Sequence, residues 1–232
     1  MRIFITASDT DAGKTYVAAG LTRALMRRHI RVRTLKPVCC GRAPGTMNAD
    51  VRALLEAQGW PPDRAHRICR HDFPDFAAPA QAAARAGEAI QPEELVRWCN
   101  KAAGDAELAL IEGVGGLMVP LAPRWLVADW LAAMPDCRVL LVARACLGGI
   151  NHALLTLKAL DAMSRPPDWV VINDADAAGQ DMPESMARAL HSFLPAGTRL
   201  LALSHQPETG YAANDTVEEL AADIARRCRC AC

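Results

Sequence analysis

The 232-residue chain predicts a doubly wound α/β fold, a mostly parallel sheet with helices on both faces, in a single domain spanning 1–232. Three observations lead there. Short apolar, β-branched runs alternate with segments of helical periodicity; the runs are almost continuously apolar, as suits strands covered on both faces; and the chain opens on a strand-like run, a polar glycine turn and a helical pattern. That alternation is the signature of crossover units stacked along a parallel sheet.

The expected strands are RIFITA (2–7), RVRTLKP (31–37), ELALIEG (107–113), RVLLVA (138–143), DWVVIN (168–173) and RLLALS (199–204). After the first turn, Val17, Leu21, Ala24 and Leu25 recur at helical spacing, as do Leu154, Leu155, Leu157 and Leu160 after Asn151. Residues 41–95 break the rhythm with GRAPGT, GWPPD and DFPDFAAPA; their aromatic and apolar content predicts ordered excursions over the strand ends rather than a linker. Neither an internal repeat nor a low-complexity tract interrupts the chain.

Composition narrows the function. Half of the residues are apolar (51%) and the formal charge is +0, so neither a nucleic acid nor an anionic membrane is the expected partner. Only Lys14, Lys36, Lys101 and Lys158 are lysines among 26 basic residues, which makes the two near glycine- or proline-flanked turns informative. The nine cysteines show neither a C-x-x-C pair nor zinc-ligand spacing, and scattered thiols fit a reducing compartment. The closing CRCAC reads as an exposed terminus or a soft-metal ligand set. No run approaches the ~20 apolar residues of a membrane span and no signal-peptide core follows Met1, so the expectation is a cytoplasmic protein.

The stretch ASDTDAGKT, Ala7 to Thr15, sits between strand and helix as a phosphate-binding loop does, with backbone amides and a helix N-terminus facing the anion. Gly13 lets the backbone approach closely, Lys14 is placed for the outer phosphates and Thr15 for magnesium. Lys36 lies at a carboxyl strand end, where ligands bind in this architecture, and reads equally as a solvated strand-end lysine. Asp50 in NADV is either a metal ligand or a first-turn carboxylate of a helix capped by Asn48. Glu112, before Gly-Val-Gly-Gly, is either a polar strand terminus or, with Thr15 and Asp50, part of an oxygen-ligand set for magnesium. LGGINHALLT opens a second helix whose N-terminus suits a carboxylate, or is simply a tight connection. Asn173 and Asp174 end a strand where a base could be bound, and the histidines form no cluster.

Taken together these segments resemble the dethiobiotin synthetases, ATP-dependent carboxylases of the P-loop NTPase type, across nearly the whole chain. The family's T-D-T-x-x-G-K-T stands as SDTDAGKT, K-P-V-x-S-G as KPVCCG, its acidic residue after Asn as NADV, E-G-A-G-G as EGVGG, and L-G-x-I-N-H-A-L-L-T as LGGINHALLT. The resemblance implies that Asp11, Ala12, Gly13, Lys14, Thr15, Tyr16, Glu112, Gly115 and Asn173 contact ATP. It implies that Thr10, Lys14 and Lys36 act on the phosphates and the carboxylated intermediate, and that Thr15, Asp50 and Glu112 hold Mg2+. It also implies a homodimer whose Gly148, Gly149, Ile150 and Asn151 bind the carboxylate of 7,8-diaminononanoate in the other subunit's site, beside Lys36 and Cys40. The implied reaction joins that diamine, CO2 and ATP into dethiobiotin, ADP and phosphate.

Three positions depart from the family pattern: Ala7 for the loop's first glycine, Cys40 for a serine, and ALSH at 202–205 for G-x-I-P near adenine. Ala7 is expected to restrict or crowd the loop, Cys40 to donate more weakly, and ALSH to affect base selectivity. Partitioning or septum-site ATPases carry an additional lysine early in the loop, and positions 7–12 contain none. Amidoligases of cobalamin synthesis continue into a glutaminase domain. A binding module with a relic nucleotide site is the remaining alternative, against which stands the presence of Lys14, Thr15, Lys36, Asp50 and Glu112 in one chain.

Overall fold

The structure, a computed structural model, describes residues 1–43, 45–177, 181–205 and 214–230. In chain order the elements are β1 (Arg2–Ala7), α1 (Lys14–Arg27), β2 (Val32–Leu35), β3 (Val38–Cys40), α2 (Ala49–Ala57), a 3-10 turn (Pro62–Arg67), β4 (His71–Phe73), α3 (Pro79–Arg85) and α4 (Pro92–Ala103). There follow β5 (Leu108–Glu112), β6 (Pro120–Ala122), β7 (Trp125–Leu126), α5 (Val127–Ala132), β8 (Cys137–Arg144), α6 (Gly149–Ala162), β9 (Trp169–Asn173), α7 (Met182–Leu190), β10 (Arg199–Leu203) and α8 (Asp215–Arg229).

The six expected strands build one sheet, in the order β10-β9-β8-β1-β5-β2, with every pairing parallel. Their apolar runs are fully covered: Ile3, Phe4 and Ile5 of β1, Leu140 and Leu141 of β8 and Leu110 and Ile111 of β5 are all 0% exposed. Burial of that apolar area is the main force holding the layers together. The Trp130 ring of α5 meets Phe4 edge-on, with centroids 4.9 Å apart, the geometry that ring quadrupoles favour.

Strand order reverses at β1, which has β5 on one side and β8 on the other. The connections β1–α1–β2 and β8–α6–β9 therefore leave in opposite directions and open a crevice at the carboxyl ends. At the sheet's edge, β2 has one unpaired side, and Gln58 occupies it. Its Oε1 accepts from Thr34 N and its Nε2 donates to Thr34 O, each at 3.0 Å, so that edge polar groups do not stand open.

The described residues within 41–95 form short elements, including α2, a 3-10 turn, β4 and α3. After Leu35 the chain leaves the sheet at Lys36–Pro37, where Lys36 N donates to Ile68 O at 2.8 Å. It then forms a small parallel pair of β3 with β4. The far edge is tied by a charge network on α8: Asp223 Oδ2 accepts from Trp169 Nε1 at 2.8 Å and from Arg227 Nε at 3.0 Å. The last two residues of the CRCAC tail lie outside the described residues.

Candidate active site

The loop between β1 and α1 is pinned at its start by Ser8 N donating to Val142 O at 3.0 Å. Ala7 closes β1 in register with Val142 and is fully buried; it is not among the residues with positive φ. The expected restriction is thus absent, because this position is regular strand and needs no glycine. The loop turns instead at Asp11 (φ 56) and Gly13 (φ 87). A Cβ at Gly13 would lie 2.1 Å from Asn173 Nδ2, so both backbone and space demand glycine. Helix α1 starts at Lys14 with no side-chain cap and no acidic residue in its first turn, which leaves its positive end to an anion.

Lys14 is 6% exposed and, among the described residues, forms no ion pair. Burial, with repulsion from Lys36, lowers its pKa to about 8. Lys36, 4% exposed, lies 2.8 Å from Asp50 Oδ2 and donates to Glu112 Oε1. Burial opposes its charge, but Glu112 and Asp50 more than offset that and raise its pKa. Asp50 N donates to Asn48 Oδ1 at 3.0 Å, so Asn48 caps α2 as expected and aims Asp50 inward. Burial works against the Asp50 carboxylate, yet Lys36 holds its pKa below the usual range.

Glu112, fully buried at the end of β5, accepts from Thr15 Oγ1 at 2.7 Å. Burial pushes its pKa up, against the pull of Lys36. Its Oε2 is buried without a hydrogen-bond partner. Thr15, Asp50 and Glu112 are thus brought together around Lys36. No group of three or more His, Cys, Asp or Glu side chains is placed for a metal among the described residues. The donor set is two carboxylates and one hydroxyl, with a buried oxygen still unpaired. This suits Mg2+, which takes few protein ligands and keeps water and phosphate oxygens.

The remaining expected residues surround this centre. Thr10 is exposed on the loop, its N donating to Asp9 Oδ1 at 2.7 Å, while Ala12 is fully buried. Burial raises the Tyr16 pKa. Gly115 (φ 60) packs over the loop, where a Cβ would stand 3.5 Å from Thr10 Oγ1. Cys40 ends β3 half-buried, its thiol pushed up to about 11 by burial, so it is neutral and at most a weak donor. Asn173 is 4% exposed, and its Nδ2 donates to Ala12 O at 2.9 Å, bracing the loop. Residues 202–205 run beside it, Asp174 N donating to Leu203 O at 2.9 Å.

Gly148 (φ 83) caps α6 without a side-chain hydrogen bond. Gly149 is buried against β8, where a Cβ would lie 2.4 Å from Arg144 O. Ile150 is 39% exposed and Asn151 is exposed. The first turn of α6 also carries a contact that the sequence reading missed: His152 Nδ1 lies 3.5 Å from Asp9 Oδ2. Its place in the motif LGGINH, one turn after Gly148, was the available signal.

Residues 1–211 match the family model described as an AAA domain. Among solved structures, the hydrogenase maturation factor HypB from Archaeoglobus fulgidus superposes with a TM-score of 0.54 at 12% identity, over 98% of this chain and 90% of that one; this likeness concerns the P-loop NTPase fold alone. The ATP-dependent dethiobiotin synthetase BioD of Acidiphilium cryptum is 40% identical over 196 residues, covering 82% of this chain and 86% of the relative. That of Methylobacterium nodulans is 36% identical over 211 residues, covering 87% and 92%. On these matches, the chain belongs to the ATP-dependent dethiobiotin synthetase family.

Proposed function

We propose that the chain is an ATP-dependent ligase that carboxylates 7,8-diaminononanoate and closes its ureido ring to give dethiobiotin, ADP and phosphate. The observation that carries this reading is the cluster of Asp50 and Thr15 around the buried Lys36 and Glu112, next to a phosphate loop whose Lys14 forms no ion pair among the described residues. One amine of the substrate adds to CO2 and loses a proton, giving a carbamate. A carbamate oxygen then attacks the γ-phosphorus and releases ADP; the second amine attacks the carbonyl carbon of the resulting carbamic–phosphoric anhydride, and phosphate leaves as the ring closes.

Both partners of the phosphoryl step are anions, so neutralising their repulsion is the main task. Lys14 and the α1 N-terminus hold the phosphates, Thr10 lines them, and Lys36 stabilises the carbamate. Thr15, Asp50 and Glu112 would hold Mg2+, which when bound neutralises charge on the transferring phosphoryl. Alignment of the two anions supplies much of the remaining rate.

The exposed Leu147, Ile150 and Leu155 of the α6 region, at 99%, 39% and 62%, support a homodimer formed on this face. In it, Gly148, Gly149, Ile150 and Asn151 of one subunit receive the substrate carboxylate at the other's site. No helix among the described residues is long and apolar enough to cross a membrane, and the free thiols among them favour a cytoplasmic setting.

The test mixes purified protein, magnesium-ATP, bicarbonate and 7,8-diaminononanoate and weighs the product. Dethiobiotin formed one-for-one with ADP is the expected result. Phosphate release without it assigns another acceptor, and nucleotide binding without turnover assigns a non-catalytic module.

A further inference from the structure

At the β2 edge lies a cleft of about 380 Å³, lined by Arg33, His66, Arg67, Trp98, Lys101 and Asp105. None of these residues belongs to the phosphate loop or the magnesium ligand set. Thr34 faces α1, its hydroxyl bonded to that of Thr22, so strand alternation turns the neighbouring Arg33 to the opposite face, towards α4. The Arg33 guanidinium sits 4.3 Å from the Trp60 ring centroid, with those of Arg64 and Arg67 at 5.5 and 5.7 Å.

Three guanidinium groups thus gather on one indole, and Lys101 adds a fourth cation. Among the described residues none of the four forms an ion pair, and the carboxylate that lines the cleft, Asp105, offsets part of the charge on Arg33. Stacking on Trp60 offsets only part of the mutual repulsion. Arg33 Nε is buried without an acceptor, and His66 Nδ1 lies 2.9 Å from Asp63 O, leaving Nε2 for another partner. Because the whole chain carries a formal charge of +0, this concentration is local and not a general basic surface.

We propose that this cleft is a second ligand site, for a small phosphate-bearing molecule with a planar ring, of the nucleoside monophosphate class. Its phosphate meets Arg33, Arg67 and Lys101, and its ring lies along Trp98. The size falls within the ~300–1,000 Å³ typical of small-molecule sites, and charge-assisted hydrogen bonds to guanidinium groups are the strong contacts such a ligand needs.

The test is calorimetric titration of the full chain, its phosphate loop saturated with Mg-ADP, using AMP and inorganic phosphate as probes. AMP should bind at one site, at least tenfold more tightly than phosphate, and more weakly as NaCl rises. The double variant Arg67→Glu/Lys101→Glu should lose at least tenfold in AMP affinity while kcat for dethiobiotin is unchanged; Arg67→Met alone, at an exposed side chain, gives a second reading. The proposal is overturned if neither probe gives heat, if the variants bind AMP like the parent, or if phosphate binds as tightly as AMP. Retention on heparin without AMP binding also overturns it, since that marks an extended polyanion surface.

Discussion

Replacing Lys36 by methionine separates its buried ion pairing from the catalytic role proposed for it. Lys36 and Glu112 are 4% and 0% exposed, so methionine leaves a fully buried carboxylate beside Asp50 with no cation between them. Removing one member of a buried pair costs about 3–5 kcal/mol, and in a chain of this size 1 kcal/mol moves Tm by roughly 2–4 °C. Lys36→Met should therefore melt on the order of 10 °C lower. The deficit should shrink on acidification, because a proton relieves the stranded carboxylate. The second effect is catalytic: loss of one preorganised cation at the reacting anions should lower kcat by roughly 10²–10³-fold, while Mg-ADP affinity changes less, since Lys14 and the loop remain. The double variant Lys36→Met/Glu112→Gln should recover much of the lost Tm and none of the activity. The assay is dethiobiotin formation by mass, with thermal melts of the same samples. A kcat within threefold of the parent in Lys36→Met would refute the catalytic role, and a double variant no more stable than the single would refute the pairing as the source of the stability loss.

The Asp223 pKa is held below its ordinary 3.8, with burial opposing and the Trp169, Arg227, Arg226 and Arg199 partners prevailing. Its contribution to stability is therefore present above that value and lost as pH falls through the folded pKa. Asp223→Asn should lower Tm at neutral pH by roughly 3–10 °C, for about 1.5–3 kcal/mol of charge-assisted bonding, and by much less near pH 3. Cys40→Ser restores a stronger donor at the end of β3 and should lower KM for the diamine by about two- to tenfold at constant kcat; an unchanged KM would remove Cys40 from the substrate site. Leu155→Asp, on the exposed apolar face of α6, should halve the mass seen by light scattering and reduce turnover with it, whereas an unchanged mass would place any dimer contact elsewhere. Ala7→Gly should leave the Kd for Mg-ADP within twofold and cost about 0.5–1 kcal/mol of stability, as glycine does inside a strand; a marked gain in affinity would mean that the methyl does constrain the loop.

The central sheet was legible because its strands are buried on both faces, which forces continuous apolar runs such as VLLVA in β8. Pairs of two or three residues, β3 with β4 and β6 with β7, carry too few residues to show a period. The site was legible as a set of residue types at strand ends, but not as a set of contacts. The sequence places Lys36 and Glu112 at strand ends without revealing that the two strands are neighbours or that one oxygen of Glu112 serves both Lys36 and Thr15. Asn173 illustrates the same limit. A polar strand terminus suits a base, and its amide also reaches back 161 residues to Ala12 O, a contact that no local pattern encodes. The effect of Ala7 was not legible for a related reason: it depended on whether β1 had ended, and pairing with Val142 extends the strand through it.

The two lysines of the site are set apart by their surroundings. Lys36 keeps its charge in the free protein because Glu112 and Asp50 more than offset the cost of burial. Lys14 is nearly as buried, and there burial together with repulsion from Lys36 outweighs the pull of Glu112, Asp50 and Asp11, so its pKa falls to about 8. A lysine desolvated in this way is destabilised until an anion arrives, and arrival of a phosphate raises its pKa again. Part of the stabilisation of the bound nucleotide is thus relief of a cost already carried by the free protein. The same relation runs in the opposite direction at Glu112, whose unpaired Oε2 is relieved by a cation. On the proposed function, a magnesium–nucleotide complex would answer both costs at once, where the free nucleotide or the free metal would answer only one.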